Sequence, residues 1–401
     1  MFRRRAARIG FVFVCLSLAS TAAPAQDWTW SADANVFVGV NDQQRLFAGF
    51  ESFESQNWFM LAGSRDDNVG QLTVNAMASL EPLTVGRLVW IEGGQRVDPG
   101  GSPQLFQTGE SYQRIPLSNV QHPHDLIMSL GASYRIEEPT IAYTFAASVV
   151  GSPALGPTAF MHRESARDNP QAPLSHHWLD STHVSYGVLT GGVAAGEFTI
   201  EASTFRGEEP DENRYNIERP KLDSYAARLG WRRGGWDAQV SAGHLHQPEW
   251  FEPYDETRIT ASLGYEGRVA ARPFAAMLAW GENRDAVVTN GVSDNFLLEW
   301  DLGLPRRFTT YGRAEVVEKE LLGLGYHPLG FQHPHVYSHI DALTVGTVWD
   351  LVTDARYGRF GIGGDVTVYH LSPDIVPYWD GSRSFHAFLR WRPAASGHHH
   401  H

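Results

Sequence analysis

The chain has a single cysteine in 401 residues, Cys15, and it falls within the first twenty. No disulfide framework can form, and cysteine-based catalysis is excluded once that segment is removed. Lysine is almost as scarce, with Lys221 and Lys319 the only two. At a formal charge of −13 the chain has no basic stripe, which excludes the electrostatic footprint of a nucleic-acid partner. Long apolar runs are missing as well. Beyond residue 26 nothing approaches the roughly 18 consecutive apolar residues of a membrane-spanning helix.

The apolar run that does exist lies at the start. Arg3, Arg4, Arg5 and Arg8 precede a greasy stretch from Ile9 to Ala19, and Ala23, Pro24 and Ala25 follow as a small-residue cleavage pattern. That order reads as a secretory signal peptide over 1–25, with the mature chain beginning near Gln26. A membrane anchor is the weaker reading, because about 11 apolar residues cannot cross a layer that needs about 20. Loss of the leader's four arginines takes the formal charge from −13 to −17. Residues 393–401 end in four histidines, a native metal-binding tail or a purification remnant, and play no part in the fold argument.

Between these ends the sequence is written in period two. Phe198, Ile200 and Ala202 alternate with Glu197, Thr199, Glu201 and Ser203. Tyr225, Ala227 and Leu229 alternate with Ser224, Ala226 and Arg228, and Phe296, Leu298 and Trp300 with Asn295, Leu297, Glu299 and Asp301. Side chains of a strand point to opposite faces in turn, so each segment has two distinct faces. A soluble sandwich would fill its apolar face with large aliphatics. Here that face is rich in Ala, with aromatics at the segment ends, and the other face is small, polar and charged. This pattern predicts an all-β protein: a closed antiparallel transmembrane β-barrel with lipid outside, polar side chains inside and aromatic girdles at both interfaces. Hydrocarbon tolerates no free sheet edge, so the sheet must close.

Eighteen candidate strands can be marked, at 29–40, 44–55, 57–65, 70–80, 84–92, 125–137, 139–150, 181–193, 196–206, 222–232, 235–247, 256–266, 271–282, 293–302, 306–319, 336–350, 356–371 and 381–392. About 16 strands, within a range of 14–18, fit one barrel domain over 26–392. The alternative is a soluble secreted β-protein with Tyr225, Leu229 and Phe296 sandwiched between two sheets.

Two long interruptions, 93–124 and 151–180, break the rhythm. Loops of this length tend to be functional or to plug a lumen. The second contains Pro153, Pro157, Pro170 and Pro173, which stiffen it. The stretches "LFQTGESY", "QHPHDL", "GSPALGPTAFMHRESARDNPQAPLSHHWLDSTHVSYGV", "FRGEEPDENRYNIE" and "LDSYAARLGW" resemble a family of uncharacterised bacterial outer-membrane β-barrel proteins that accompany copper and heavy-metal handling genes. The resemblance covers about 70–392 and is most distinctive over 151–188. It implies a barrel in the bacterial outer membrane and a link to metal handling, and it assigns no activity.

The histidines carry the metal reading. His122 and His124 flank a proline, which favours extended backbone and puts both rings on one face, with Asp125 as third ligand or orienting acceptor. His162, His176, His177 and His183 lie in or just after the second loop, and Met161 adjoins the first of them. His333, His335 and His339 form a further group, and His244 and His246 repeat the spacing of two. Imidazole suits Cu, Zn and Ni, and a thioether tilts the choice toward Cu(I). The competing reading is a structural network in which these rings, with Arg163, Glu164, Arg167 and Asp168, form a salt-bridged cap. The acidic run Glu208, Glu209, Asp211 and Glu212 is either a solvated hairpin tip or an oxygen-ligand Ca²⁺ site.

Three function classes follow. The first is a porin-like channel for small solutes, with Glu201, Arg228, Glu299, Arg313 and Glu315 as charges lining the lumen. The second is a metal-binding barrel with a plugged lumen. The third, an outer-membrane hydrolase using Ser175, Ser181 or Ser185 with the nearby histidines and Asp180, lacks a nucleophile-elbow motif, so the chain reads as a non-enzyme. The expected partners are outer-membrane lipid and small solutes or metal ions, and the oligomeric state stays open.

Overall fold

The computed structural model describes residues 27–44, 50–85, 90–92, 95–97, 106, 123–211, 213–248, 254–285, 291–320, 337–376 and 380–394. Residues 1–26, where the signal peptide is expected, most of the first long loop and the terminal histidines lie outside them. In chain order the first strands are β1 (Thr29–Gln44), β2 (Phe50–Glu54), β3 (Asn57–Asp66), β4 (Gly70–Ala78), β5 (Trp90–Glu92), β6 (Gln95–Val97), β7 (Ile127–Glu137) and β8 (Ile141–Gly151). Then come β9 (Ser185–Ala195), β10 (Phe198–Phe205), β11 (Ser224–Arg233), β12 (Trp236–Leu245), β13 (Glu256–Val269) and β14 (Arg272–Asp285). The last are β15 (Val292–Gly303), β16 (Phe308–Glu320), β17 (Tyr337–Asp354), β18 (Gly358–Leu371) and β19 (Arg383–Arg392). Two four-residue helical turns, α1 (Glu81–Thr84) and α2 (His176–Leu179), interrupt them.

Every wall strand pairs antiparallel with its neighbours, and β1 pairs with β19 from Val36↔Trp391 to Gln44↔Arg383. The sheet is therefore closed. β2 and β3 pair with successive halves of β1 and act as one broken strand, so the wall has 16 strands. The 18 sequence candidates overcount by two for identifiable reasons. Candidates 29–40 and 44–55 overlap the single long β1 and its partner, so three marked segments make two wall strands. Candidate 84–92 leaves the wall altogether. Pro82 starts the helical turn α1, proline cannot donate to a ladder, and among the described residues β5 pairs with β6 alone in a separate hairpin.

The faces fall as expected. Tyr225, Leu229 and Phe296 are 63%, 44% and 52% exposed on the outer surface, as no sandwich core would leave them. Ser203, Ser241, Thr260, Glu299 and Thr344 face inward and are buried. Aromatic pairs gather where the short turns lie: Trp236 with Tyr265 at 4.8 Å, Phe308 with Trp349 at 5.6 Å, and Phe360 with Trp391 at 6.4 Å. This is the interfacial girdle, which favours rings that are apolar on one side and wet on the other.

The interior departs from the simple wet-inside picture. Met277, Ala279, Leu297, Val317, Ile340 and Ala342, all on inward positions, form one buried apolar cluster with Leu174, Trp178 and Leu179. Part of the inner wall is greasy because an apolar stretch of the second long loop lies against it.

Candidate functional site inside the barrel

The segment 152–184 leaves β8, enters the barrel and returns to β9. Its backbone is bonded to side chains on well-separated parts of the wall. Ala154 N donates to Ser203 Oγ at 2.8 Å, Gly156 N to Ser241 Oγ at 2.8 Å, and Ser175 N to Glu315 Oε1 at 3.0 Å. In return Asn283 donates to the carbonyl of His177, Arg313 to that of Gln171 and Asn35 to that of Arg167, at 3.2, 3.0 and 2.9 Å. A polar segment can cross an enclosed space only if its peptide groups find such partners.

Buried ion pairs fix its middle. Arg163 reaches Glu299 Oε1 at 2.6 Å and Asp180 Oδ2 at 2.7 Å, and Ser165 Oγ donates to the same Glu299 oxygen at 2.8 Å. Arg313 stands 3.6 Å from the other oxygen of Glu299. Asp168 pairs with Arg390, which also holds Asp350. Burial opposes charge on Asp180, yet Arg163 and His176 beside it hold its carboxyl well below the usual range. Asp168 is likewise lowered to about 2: burial works against it, and Arg390 and Arg392 prevail. The predicted lumen charges thus face inward, but they grip the segment or each other: Arg228 pairs with Glu201 at 2.8 Å and donates to the carbonyl of Gly156 at 3.1 Å.

The structure brings three of the predicted histidines together. The ring of His183 lies 5.4 Å from that of His124 and 5.1 Å from that of His176, with Phe160 packed beside all three. Each ring is held through Nδ1: His124 by Glu81 Oε2 at 2.8 Å, His176 by Asp180 Oδ1 at 2.7 Å and His183 by the carbonyl of Asp180 at 2.7 Å. A carbonyl only accepts, so His183 Nδ1 carries the proton and Nε2 carries the lone pair. That Nε2 is buried without a hydrogen-bond partner among the described residues. Burial, with His176 and His124 nearby, pushes the His183 pKa well below 6.5. Burial also disfavours charge on His124, but the Glu81 carboxylate wins and its pKa is raised. These rings edge a chamber of about 120 Å³, with room for several waters, bounded also by Trp58, Asn169 and Arg214.

The other candidates scatter. Asp125 is not a partner of His124: it accepts from Tyr186 Oη at 2.7 Å and pairs with Arg214 at 3.2 Å. His177 borders His176 at 5.9 Å, and Met161 is buried in an apolar cluster. His162 lies against Trp58, ring to ring at 4.7 Å, and places Nε2 3.3 Å from Met77 Sδ. His339 is on the outer face of β17, 3.1 Å from Asp341. His244 and His246 share Asp255 at 3.3 and 2.8 Å. His122, His333, His335 and Glu212 lie outside the described residues. Glu208 pairs with Arg206 and Lys221 and Asp211 caps the backbone of Asn213, whereas Glu209 borders the histidine chamber and accepts from Ser181. Among the described residues no group of three His, Asp or Glu side chains is arranged to hold an ion.

The serine triad is not assembled. Ser175 Oγ donates to Glu315, Ser181 Oγ accepts from Arg258, and Ser185 Oγ donates to the carbonyl of Thr182. Sequence reasoning missed Glu81, which together with Glu299 organises the interior. Glu299 was legible as an inward charge, whereas the pairing of Glu81 with a ring 43 positions away left no local signal.

No family model matches the chain, and no curated protein does. Solved structures do. An anion-selective porin from Comamonas acidovorans superposes with a TM-score of 0.50 at 8% identity, over 91% of this chain and 100% of that one. OmpT, an outer membrane protein of Vibrio cholerae, superposes with a TM-score of 0.50 at 7% identity, over 92% of this chain and 100% of that one. At such identity the likeness is one of fold: a closed porin-like barrel, which fits a bacterial outer-membrane location.

Proposed function

We propose that the protein is an outer-membrane channel for small hydrophilic solutes, whose aperture is set by the segment 152–184 rather than by the wall. The observation that carries this reading is the anchoring of that segment to well-separated wall strands, through Ser203, Ser241, Glu315 and above all the buried pair of Arg163 with Glu299, while Arg163 with Asp180 ties the segment to itself. Two fixed ends and a buried ionic middle hold it at one depth, so it narrows the lumen without moving. In the orientation usual for such barrels, short turns face the periplasm and the longer connections face outward. The histidine chamber then lies between the outer mouth and the narrowing. The acidic balance of the chain favours cations. Discrete conductance steps in planar bilayers are the expected result, and a silent barrel would overturn the proposal.

The second reading, metal handling, is supported by the way His124, His176 and His183 are held. Rings tied through Nδ1 present Nε2 outward, as metal-binding imidazoles do. Their nitrogens do not converge as they stand, so an ion would have to draw them in. Calorimetry with Zn(II) and Cu(II), comparing the native chain with His183→Phe, tests it. Heat that is unchanged by the substitution places any binding elsewhere and ends this reading.

A further inference from the structure

Four of the six methionines in the chain, Met60, Met77, Met128 and Met161, fall in one cluster on the inner wall and the segment laid against it. Three come from adjacent strands. Met60 on β3 stands directly opposite Met77 on β4. Met128 sits where the pairing of β4 with β7 shifts register, between the partners of Met77 and Ala78. His162 arrives from the interior segment, is exposed, and sets Nε2 3.3 Å from Met77 Sδ. The Trp58 indole lies against the same imidazole at 4.7 Å.

We propose that His162 and Met77, with Met60 beside them, form a binding site for a soft monovalent cation of the Cu(I) class. Thioethers are neutral, polarisable and weakly basic. They leave Zn²⁺, Mg²⁺ and Ca²⁺ to harder donors and select Cu(I) and its analogue Ag(I), and one imidazole supplies the stronger bond. An ion held at ~2.0–2.3 Å from both atoms at a near-tetrahedral angle needs an N···S separation of ~3.5 Å, close to that observed. The ion would displace the contact between Nε2 and sulfur with little movement of either chain segment. Trp58 would offer its ring face to the bound charge. Methionines also fill irregular core gaps, and that ordinary role makes a contrasting prediction.

The test uses the full chain with methyl-labelled methionine in detergent micelles, titrated with Ag(I) as the redox-inert probe. The Met77 and Met60 methyl resonances are expected to shift and saturate together. Met277, in the separate apolar cluster, is expected to stay put. Zn(II), which prefers harder donors than thioethers, should move none of them. His162→Phe should weaken the Ag(I) response by at least the ~10–100-fold that loss of a supporting partner costs a metal site. Methyls that ignore Ag(I), move equally with Met277, or respond unchanged in His162→Phe would show a packing cluster and overturn the site. If His162→Phe fails to fold, the native titration decides alone. A barrel that conducts but ignores Ag(I) loses only this site. A silent barrel whose methyls respond loses only the channel reading.

Discussion

Arg163 Nε, on the segment inside the barrel, lies 2.6 Å from Glu299 Oε1 on the inner face of β15, with both side chains almost wholly out of solvent. The same guanidinium reaches Asp180 at 2.7 Å. Removing it takes a guanidinium from two buried carboxylates, and breaking such a pair from one side costs ~3–5 kcal/mol. Arg163→Ala is therefore expected to free the segment while leaving the wall intact. Limited proteolysis should cut within 152–184 in the variant at protease levels that spare the native chain, with the β signal in circular dichroism unchanged.

Gly156 offers a second route to the same outcome. Its φ is +75°, and a Cβ there would come within 1.7 Å of the carbonyl oxygen of Leu179. Left-handed backbone costs a non-glycine residue roughly 1–2 kcal/mol before the overlap is counted. Gly156→Ala should loosen the segment as Arg163→Ala does, whereas alanine at Gly191, where nothing approaches a Cβ, should leave it fixed. Equal protease resistance in all three chains would show that the segment is not held by these contacts.

The histidine cluster should titrate asymmetrically. His183 has its pKa pushed well down by burial and by its neighbouring rings, so its neutral form stabilises the cluster. That contribution is full above the unfolded value near 6.5 and is lost as pH falls through the lower folded value. His124 has its pKa raised by Glu81, so its contribution is full below ~6.5 and is lost as pH rises through the higher folded value. The two oppose, and the cluster is tightest near the ordinary histidine value. Proton titration of the ring Hε1 resonances should place His124 above and His183 below it. His183 shifting at or above His124 would contradict the geometry.

The outer face supplies a prediction about lipid. Leu298 is 44% exposed on the outside of β15, while Leu297, one residue earlier, is fully buried inside. An arginine at a lipid-facing midplane position costs ~2–4 kcal/mol. Leu298→Arg should lower the denaturant midpoint of barrel unfolding in bilayers. Thr199→Arg, on the inward face near a short turn, should change it little.

How much of this was readable in the sequence depended on range. Strand faces were legible because alternation is local: Phe296, Leu298 and Trp300 declare the outside of β15 by themselves. The break at residues 55–56 and the turn at Pro82 were partly legible and misled the strand count, since each resembles an ordinary strand end. The buried apolar interior was not legible. Leu297 reads as an exception on a polar face until Leu174 and Trp178 arrive to cover it, from more than a hundred residues away. The histidines were visible as candidates, but which of them meet was set by the path of 152–184. His124 joins His176 and His183, Asp125 turns away to Arg214, and His162 departs to Met77.

The most direct test of the account is swelling of proteoliposomes in sugars of graded size, comparing the native chain with Arg163→Ala. The account predicts that native barrels admit small sugars and exclude larger ones, and that the variant admits the larger ones as well. The same cut-off in both chains, or no swelling in either, would contradict the claim that a segment anchored inside the barrel sets its aperture.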